Sequence, residues 1–320
     1  MKKTSMVALG LVGSLALTGG CGSGGEASSG NSANIELVLG RLGDPFTAQI
    51  ACGAEEEAKK LGYKVSVSGP GVWSASDQMP FLNAAIAKNP NALLVEATDT
   101  KALNAPLKTY ADSGKPLITV DSGIDQDFTF AAIGSNNYNG GKQAAEAYAK
   151  AVGGKGQVLI VNVAPGIGVT DERQKGFEDA LKNYPDIKYL GTEFAGDDAG
   201  KVAEIIHAKK AANRDLNGIF ATATLVGEAA GSVVSTDNLK DIYLVAFDAS
   251  PKEAELVQAG NIDALIVQKP RLMGQLGVQA AAAALKGETF TAESETGYAE
   301  ITPENISDPD NQALLYSTEC

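Results

Sequence analysis

The chain has 320 residues and a formal net charge of −13, from 26 Lys and Arg residues against 39 Asp and Glu residues. This length is sufficient for two α/β lobes with cores of their own, and the acidic balance, with dispersed basic residues, argues against nucleic-acid binding. The only histidine, His207, and three scattered cysteines do not have the spacing of zinc ligands, so no metal or cofactor is predicted.

Residues 1–20 have the pattern of a secretory signal, in which two lysines precede an apolar stretch, 7–17, too short to span a bilayer. Residues 17–21, Leu-Thr-Gly-Gly-Cys, resemble a bacterial lipobox, which implies cleavage before Cys21 and lipid attachment to its sulfur. The alternative is an ordinary signal peptide followed by a chance cysteine. Residues 21–34 are rich in Gly and Ser and predict a flexible tether. The mature protein is therefore expected outside the cytoplasm, lipid-anchored to the outer face of the cytoplasmic membrane, or periplasmic.

Residues 35–67 predict one strand–helix–strand unit. An apolar run at 35–39 has the length of a strand, Asp44 offers a helix N-cap with Pro45 at the first helical position, and Gly62 suits the left-handed residue that ends a helix. The loop before the helix then lies at the carboxyl end of the first strand, the edge where open α/β sheets bind ligands.

The rest of the chain continues this alternation. Strands are predicted at 92–95, 116–120, 128–133, 157–162, 187–194, 218–221, 242–247 and 263–268. Helices are predicted near 77–88, 100–113, 138–152, 171–183, 200–212, 225–235, 251–259 and 272–285. The alternation predicts parallel sheets with helices on both faces, and a break in the run near Gly134 predicts a second lobe of similar build.

Four polar residues stop apolar strands at their carboxyl ends: Glu96, Asp121, Asp248 and Gln268. One such residue is equally well explained as a helix cap or a solvated side chain. Four of them, spread over both lobes, favour a shared binding site. Carboxylates and amides pair with neighbouring hydroxyl groups, so the pattern favours a sugar or polyol as ligand.

Two aromatic residues, Phe46 and Trp73, are candidates for contact with the apolar face of a sugar ring. Their alternatives are core packing for Phe46 and anchoring of a loop for Trp73. Arg41 and Arg173 are candidate hydrogen-bond donors to the ligand. The alternative for Arg173 is a surface ion pair with a neighbouring carboxylate.

Several short motifs, in this order and spacing, resemble the ribose-binding-like family of type I solute-binding lipoproteins, which serve sugar ABC transporters. They include Gly43-Asp44-Pro45-Phe46, Ala97-Thr98-Asp99, Ile118-Thr119-Val120-Asp121, Arg173-x-x-Gly176-Phe177, Ala246-Phe247-Asp248 and Gln268-x-Pro270. The resemblance covers residues 35 to about 300. It implies a two-lobed clamp with a multi-strand hinge that closes on one small ligand.

The resemblance implies ligand contacts at Asp121, Asp248 and Gln268 and a stacking role for Phe46. The chain departs from the ribose-binding group at several positions. Asp44 stands where that group has an asparagine, and Thr47 stands where it has a second stacking phenylalanine. Ser122 and Asp171 each stand where it has an arginine, and Ala223 or Thr224 stands where it has an Asn–Asp pair. Asp44, Ser122, Asp171 and Thr224 join the predicted ligand set, and the departures argue against ribose as the ligand.

The predicted fold class is α/β, with two similar doubly wound parallel-sheet lobes. The predicted N-terminal lobe is 35–134 with 269–293, the C-terminal lobe is 135–268 with 294–304, and 305–320 form a C-terminal tail. Once Cys21 is lipidated, Cys52 and Cys320 are the remaining thiols outside the cytoplasm, which predicts a disulfide between them. Two unpaired thiols are the alternative.

The predicted function is that of a monomeric extracytoplasmic solute-binding lipoprotein. It binds a monosaccharide or similar polyhydroxylated molecule and delivers it to the transmembrane subunits of an ABC permease. A ligand-sensing receptor of the same fold, for a furanosyl signalling molecule or for sugar chemoreception without transport, is the alternative. The chain has no Gly-x-Ser-x-Gly motif, no cysteine–histidine pair and no phosphate loop, so the sequence predicts no enzyme.

Overall fold

The structure is a computed structural model that describes residues 33–196, 198–290 and 294–320. The strands β1 to β11 are Asn34–Val38, Lys64–Ser68, Ala92–Val95, Leu117–Val120, Ala131–Ile133, Gly156–Asn162, Ile187–Phe194, Gly218–Ala221, Tyr243–Phe247, Ala264–Val267 and Ala299–Ile301. The helices α1 to α10 are Pro45–Leu61, Ala75–Ala87, Asn104–Asp112, Asn137–Ala151, Gly168–Leu181, Ala199–Ala212, Thr224–Thr236, Pro251–Gln258, Pro270–Leu285 and Pro309–Gln312. The predicted alternation is confirmed.

The first strand–helix–strand unit forms as its local sequence predicts. Asp44 has extended backbone and its Oδ1 accepts a hydrogen bond of 3.0 Å from the backbone N–H of Thr47, which caps α1. Gly62 ends the helix with φ 78°, a left-handed conformation that glycine adopts without a steric penalty. The loop from Gly40 to Asp44 therefore lies at the carboxyl end of β1.

The strands form two sheets in the described residues, with orders β2-β1-β3-β4-β5 and β11-β10-β9-β8-β6-β7. Every pairing is parallel except that of β10 with β11, which is antiparallel. We call the first sheet with α1–α3 and α9 the first lobe, and the second sheet with α4–α8 the second lobe. Each sheet has an apolar core on both of its faces, so both lobes are doubly wound, as predicted.

The chain passes between the lobes at β5 to α4, at β10 to α9, and between α9 and β11. The first and last passages lie side by side, because Gly134 donates to Ser294 O at 3.0 Å and accepts from the N–H of Thr296 at 3.0 Å. The carboxyl ends of the strands in both lobes lead into these passages or into the loops beside them. This arrangement brings the predicted strand-end residues together.

Pairs of helices approach each other closely in both lobes. A Cβ atom added at Gly53 of α1 or at Gly141 of α4 would lie 1.9 Å from a carbonyl oxygen of the facing helix, α9 or α5. The facing glycines, Gly274 and Gly176, have the same restriction, with distances of 2.0 and 1.9 Å. The oxygen that faces Gly141 belongs to Arg173, so this helix contact fixes the backbone that carries a predicted ligand residue.

The C-terminal tail, residues 305–320, packs along the second lobe and ends at the first. Apolar side chains of the tail join a core cluster of the second lobe: Ile306, Leu314, Leu315 and Tyr316. Cys320 forms a disulfide with Cys52 of α1, with a Cα–Cα distance of 5.3 Å. The strand β11 and the short helix α10 were not among the predicted elements.

None of the helices in the described part of the chain combines the length and the apolar character needed to cross a bilayer. The predicted signal segment, the predicted lipidation site Cys21 and most of the predicted tether lie outside the described residues.

Candidate functional site

A cavity of about 300 Å³ lies between the two lobes at the carboxyl ends of their strands. All of the predicted ligand residues line it except Ser122 and Asp171. The first lobe contributes Arg41, Asp44, Pro45, Phe46, Thr47, Trp73, Glu96 and Asp121. The second lobe, the passage after β10 and the tail contribute Val163, Ile167, Val169, Thr170, Arg173, Ala223, Thr224, Leu225, Glu228, Asp248, Ser250, Gln268 and Tyr316.

Asp121 and Asp248 occupy equivalent places in the two lobes. Each follows an apolar strand, β4 or β9, and each has a positive φ, 58° for Asp121 and 84° for Asp248. The N–H of each aspartate donates to the neighbouring strand, to Ile133 O at 2.8 Å and to Ile266 O at 3.0 Å. Non-glycine residues in this region of backbone space are uncommon and concentrate at functional sites, because the surrounding structure must hold them there.

The carboxylate of Asp248 accepts hydrogen bonds from three side chains. Thr224 Oγ1 donates to Oδ2 at 2.9 Å, Gln268 Nε2 donates to Oδ1 at 2.8 Å, and the Tyr316 hydroxyl donates to Oδ1 at 3.3 Å. Gln268 is oriented by this contact, and its own Oε1 is buried without a partner in the described residues. The amide oxygen is therefore available to a ligand hydroxyl.

Glu96 and Asp121 place further oxygen acceptors in the cavity. Glu96 is fully buried, its Oε2 accepts from the N–H of Gly40 at 2.7 Å, and its Oε1 has no partner among the described residues. Asp121 Oδ1 is likewise buried and unpartnered there. Buried acceptors without a protein partner are rare in folded proteins, and they suit a site that receives hydrogen bonds from a ligand.

Three carboxyl groups of the cavity have raised pKa values. Burial raises the pKa of Glu96 well above its ordinary value, and the negative charge of Asp121 raises it further. Burial also raises the pKa of Asp121 to about 6, although the positive charge of Arg173 opposes this. Asp44, which caps α1, has a pKa raised by burial as well. Each group therefore retains its proton at higher pH than an exposed carboxyl group.

Arg173 is the buried cation of the cavity. It is 3% exposed, and it donates from Nε to Asn137 Oδ1 at 2.8 Å and from Nη1 to Thr222 O at 2.9 Å. Its guanidinium carbon lies 3.8 Å from the centroid of the Phe247 ring, a cation–π contact. The alternative of a surface ion pair is therefore wrong, and the side chain is fixed before any ligand enters.

Two aromatic residues give the cavity apolar walls. Phe46 packs against core clusters of both lobes and meets the Tyr316 ring edge-on, at 5.7 Å between centroids. Trp73, in the loop after β2, lies over Gly40, where an added Cβ would come within 2.5 Å of the indole. A glycine at the start of the loop after β1 thus makes room for the tryptophan beside the cavity.

The structure corrects the expected positions of Ser122 and Asp171. Ser122 Oγ donates to Ala97 O at 2.7 Å and joins the loops after β3 and β4. Asp171 Oδ2 accepts from the N–H of Gly166 at 2.9 Å and orders the loop before α5. Two residues along a helix point about 200° apart, so α5 cannot aim both Asp171 and Arg173 into the cavity.

Sequence reasoning missed several lining residues. Thr47 was identified only as a departure from the ribose-binding pattern, and the apolar residues of the 163–170 loop carry no strand-end signal. Glu228 and Ser250 contact each other, with Ser250 Oγ donating to Glu228 Oε1 at 2.6 Å. Tyr316 reaches the cavity through the tail, which no pattern near the strands reveals.

Among the described residues, no group of three or more histidine, cysteine or acidic side chains is arranged to hold a metal ion. The cavity instead presents an excess of oxygen acceptors, one buried guanidinium and three aromatic side chains. This arrangement suits a small neutral molecule that has many hydroxyl groups.

Comparisons with known proteins agree with this geometry. The family model described as a periplasmic binding protein domain matches residues 35–289. A ribose import binding protein of Escherichia coli strain K12 is 28% identical over 258 residues, which are 81% of this chain and 86% of that protein. A D-apiose import binding protein of Actinobacillus succinogenes is 23% identical over 236 residues, or 73% and 76% of the two chains.

Solved structures show the same fold. An ABC transporter solute-binding protein from Agrobacterium vitis, bound with α-D-tagatopyranose, is 36% identical with a TM-score of 0.85, covering 89% of this chain and 100% of that one. A carbohydrate transporter solute-binding protein from Agrobacterium radiobacter, in complex with D-arabinose, is 30% identical with a TM-score of 0.83, covering 90% and 100%. The chain therefore belongs to the periplasmic binding protein family, in its ribose-binding-like type I group.

Proposed function

We propose that this protein binds a monosaccharide, or a similar polyhydroxylated molecule, in the cavity and delivers it to the permease of an ABC importer. The observation that carries the proposal is the set of unpartnered acceptors, Glu96 Oε1, Asp121 Oδ1 and Gln268 Oε1, at strand ends of both lobes. Sugar hydroxyl groups satisfy such acceptors, and Phe46 and Trp73 offer apolar surfaces to the ring carbons. The similar proteins bind or import single sugars, namely ribose, D-apiose, α-D-tagatopyranose and D-arabinose.

The size of the cavity supports a single sugar unit. Its volume of about 300 Å³ is at the lower end of the range for small-molecule sites, about 300–1,000 Å³. We assign Asp121 and Glu96 on the first lobe and Arg173, Asp248 and Gln268 of the opposite wall to the ligand contacts.

Binding is coupled to movement of the lobes in this proposal. We assign 35–134 with 269–293 to one lobe and 135–268 with 294–304 to the other. Contacts divided between lobes form together only when the lobes are close, so a ligand shifts the population toward that state. Small-angle scattering should show a smaller radius of gyration in the presence of a bound sugar, and an unchanged radius at saturation contradicts the coupling.

The proposed location is outside the cytoplasm, with a monomeric protein held to the membrane by a lipid on Cys21. The lipobox-like residues before Cys21 and the Gly- and Ser-rich residues after it support this part of the proposal. A Cys21→Ser variant of the full chain should leave the membrane fraction or remain unprocessed. Unchanged processing and membrane attachment contradict the lipid anchor.

A thermal-shift screen tests the ligand class. The panel contains D-tagatose, D-arabinose, D-ribose, D-apiose and common polyols, with the corresponding glycosides to detect turnover. A sugar at 100 times its dissociation constant stabilises the fold by about 2.7 kcal/mol. At least one sugar should raise the melting temperature of the protein, and the sugars and glycosides should remain chemically unchanged. If every sugar in the panel leaves the melting temperature unchanged, that result contradicts the proposal. A sugar that binds but whose uptake is unchanged in cells lacking the protein favours the receptor alternative.

A further inference from the structure

The tail, residues 305–320, lies beyond the 35–289 range that the family model matches, yet one of its side chains forms part of the cavity. Tyr316 is 4% exposed, and its ring meets Phe46 edge-on across the cavity wall. A buried aromatic residue at the end of a chain requires specific anchors, because terminal residues otherwise fray.

The second lobe holds Tyr316 through both its backbone and its side chain. The N–H of Tyr316 donates to Ala249 O at 2.9 Å, directly after the site residue Asp248. Its hydroxyl lies 3.3 Å from Asp248 Oδ1 and 3.4 Å from Gln268 O. The hydroxyl hydrogen serves one of these acceptors, and the lone pairs of the hydroxyl oxygen remain for a ligand donor.

The first lobe holds the residues that follow Tyr316. Gln49 of α1 donates from Nε2 to Ser317 O at 2.7 Å and to Glu319 O at 3.3 Å. Cys320 is joined to Cys52, one turn further along the same helix. Because Tyr316 and Cys320 are four residues apart, even a fully extended chain allows their Cα atoms to separate by at most about 14 Å.

We propose that Tyr316 is a specificity-determining residue of the sugar site and that the Cys52–Cys320 disulfide is the device that positions it. The inference rests on the proposed function. The ring narrows the cavity beside Phe46, and the hydroxyl orients the Asp248 carboxylate while offering an acceptor to a sugar hydroxyl. The residue therefore limits the size of the sugar ring substituents as well as adding affinity.

The disulfide acts on Tyr316 through the tail. Neither cysteine lines the cavity, and the bond connects the first lobe to a segment packed on the second. Without it, the described contacts between residues 317–320 and the first lobe are the hydrogen bonds from Gln49, so we expect this end to fray and the contacts of Tyr316 with Ala249 and Asp248 to open more often. An extracytoplasmic location keeps such a bond oxidised.

Calorimetry on the full chain tests the ligand role, with D-tagatose, D-arabinose and D-ribose as probes. Tyr316→Ala should weaken binding about tenfold or more and change the ratio of D-tagatose to D-arabinose affinity in favour of the larger sugar, while Tyr316→Phe should cost about two- to tenfold. Tyr110→Phe is the matched control, because Tyr110 is also buried and donates to Pro90 O, away from the cavity. Unchanged affinities and an unchanged ratio in Tyr316→Ala overturn the inference.

The positioning role has a readout that needs no sugar. Hydrogen–deuterium exchange should show the Tyr316 amide protected in the oxidised protein and released in a Cys52→Ser/Cys320→Ser variant, with the strands of both sheets still protected. The same variant should bind the probes more weakly, in the direction of Tyr316→Ala. A fast-exchanging Tyr316 amide in the oxidised protein, or equal protection in the variant, overturns the positioning role. If no probe binds the unmodified protein, the proposed function fails, and this exchange still decides where the tail lies.

Discussion

Gln268 Nε2 donates a hydrogen bond of 2.8 Å to Asp248 Oδ1, and this contact links the ends of the neighbouring strands β9 and β10. The contact determines the orientation of both side chains. It orients the carboxylate toward Thr224 and Tyr316, and it leaves the amide oxygen of Gln268 unpartnered and buried among the described residues. A site built in this way depends on a carboxylate rather than on an amide at position 248.

The first prediction is that Asp248→Asn weakens sugar binding. Asparagine tolerates the positive φ of this position, so the backbone is retained, whereas Asp248→Ala would add strain to the lost contacts. The new NH₂ group cannot accept from the donors around it, and an unpaired buried donor costs about 1–3 kcal/mol. Calorimetry with D-tagatose or D-arabinose should show binding weakened about five- to hundredfold. The exposed Asp112→Asn is the control, and equal affinity for both variants removes Asp248 from the site.

The second prediction concerns the pH dependence of stability. The pKa of Asp121 is raised to about 6, whereas an unfolded aspartate has a pKa of about 3.9. Between these values the folded protein binds more protons than the unfolded chain, so this carboxyl group lowers the free energy of unfolding as pH rises from about 4 to about 6. Asp121→Asn removes that loss.

Urea unfolding at several pH values checks this prediction in the absence of sugar. The variant should gain stability relative to the unmodified protein as pH rises through that range, by at most about 3 kcal/mol. Asp127→Asn, at an exposed position outside the cavity, is the control variant. If the difference in free energy of unfolding between the Asp121 variant and the unmodified protein stays constant over this pH range, the pKa of Asp121 is not raised in the folded protein, which contradicts the prediction.

The third prediction uses the close helix contacts. Gly141→Ala places a Cβ 1.9 Å from Arg173 O, so α4 and α5 must separate and the guanidinium moves with its backbone. Overpacking of this kind costs about 1–3 kcal/mol of stability. Gly218→Ala is the control, because its added Cβ would lie 2.2 Å from the ring of Tyr148 at the amino end of β8, the end opposite the cavity. Both variants should melt earlier, but D-tagatose affinity should fall more for Gly141→Ala, and an equal fall in both removes the link between helix packing and the site.

The fourth prediction is that the disulfide contributes to global stability. It joins positions 268 residues apart, for which the chain-entropy model gives on the order of 5 kcal/mol as an upper figure. The Cys52→Ser/Cys320→Ser variant should therefore unfold at lower temperature and lower denaturant concentration. Intact-mass measurement after alkylation of the unreduced, denatured protein gives the direct check. Two alkylated thiols in the unreduced, denatured mature protein, in which Cys21 is blocked by its proposed lipid, would show that the bond is absent.

The sequence predicts the strand-end residues well because their signal is local. Glu96, Asp121, Asp248 and Gln268 each end an apolar run, and in a parallel sheet the run alone decides at which edge its last residue lies. The cap at Asp44 has the same local character. Doubly wound lobes follow from the alternation of these runs with amphipathic helices.

Other residues could not be placed from local patterns. Asp171 and Arg173 are both polar and two positions apart, and only the phase of α5 about its axis decides which of them faces the cavity. Ser122 follows a residue with positive φ, and this turn directs its hydroxyl to Ala97 rather than to the cavity. Tyr316 depends on a contact between distant parts of the chain, which no sequence window includes.

Trp73 gives the protein an optical property of its own. It is the only tryptophan of the chain, and its indole lines the cavity beside the predicted sugar contacts. Tryptophan emission responds to the polarity of the surroundings, so replacement of cavity water by a sugar changes the fluorescence of the unlabelled protein. The intrinsic fluorescence of Trp73 therefore reports whether the cavity holds a sugar. Stopped-flow mixing can follow the binding and release of the sugar without an attached dye.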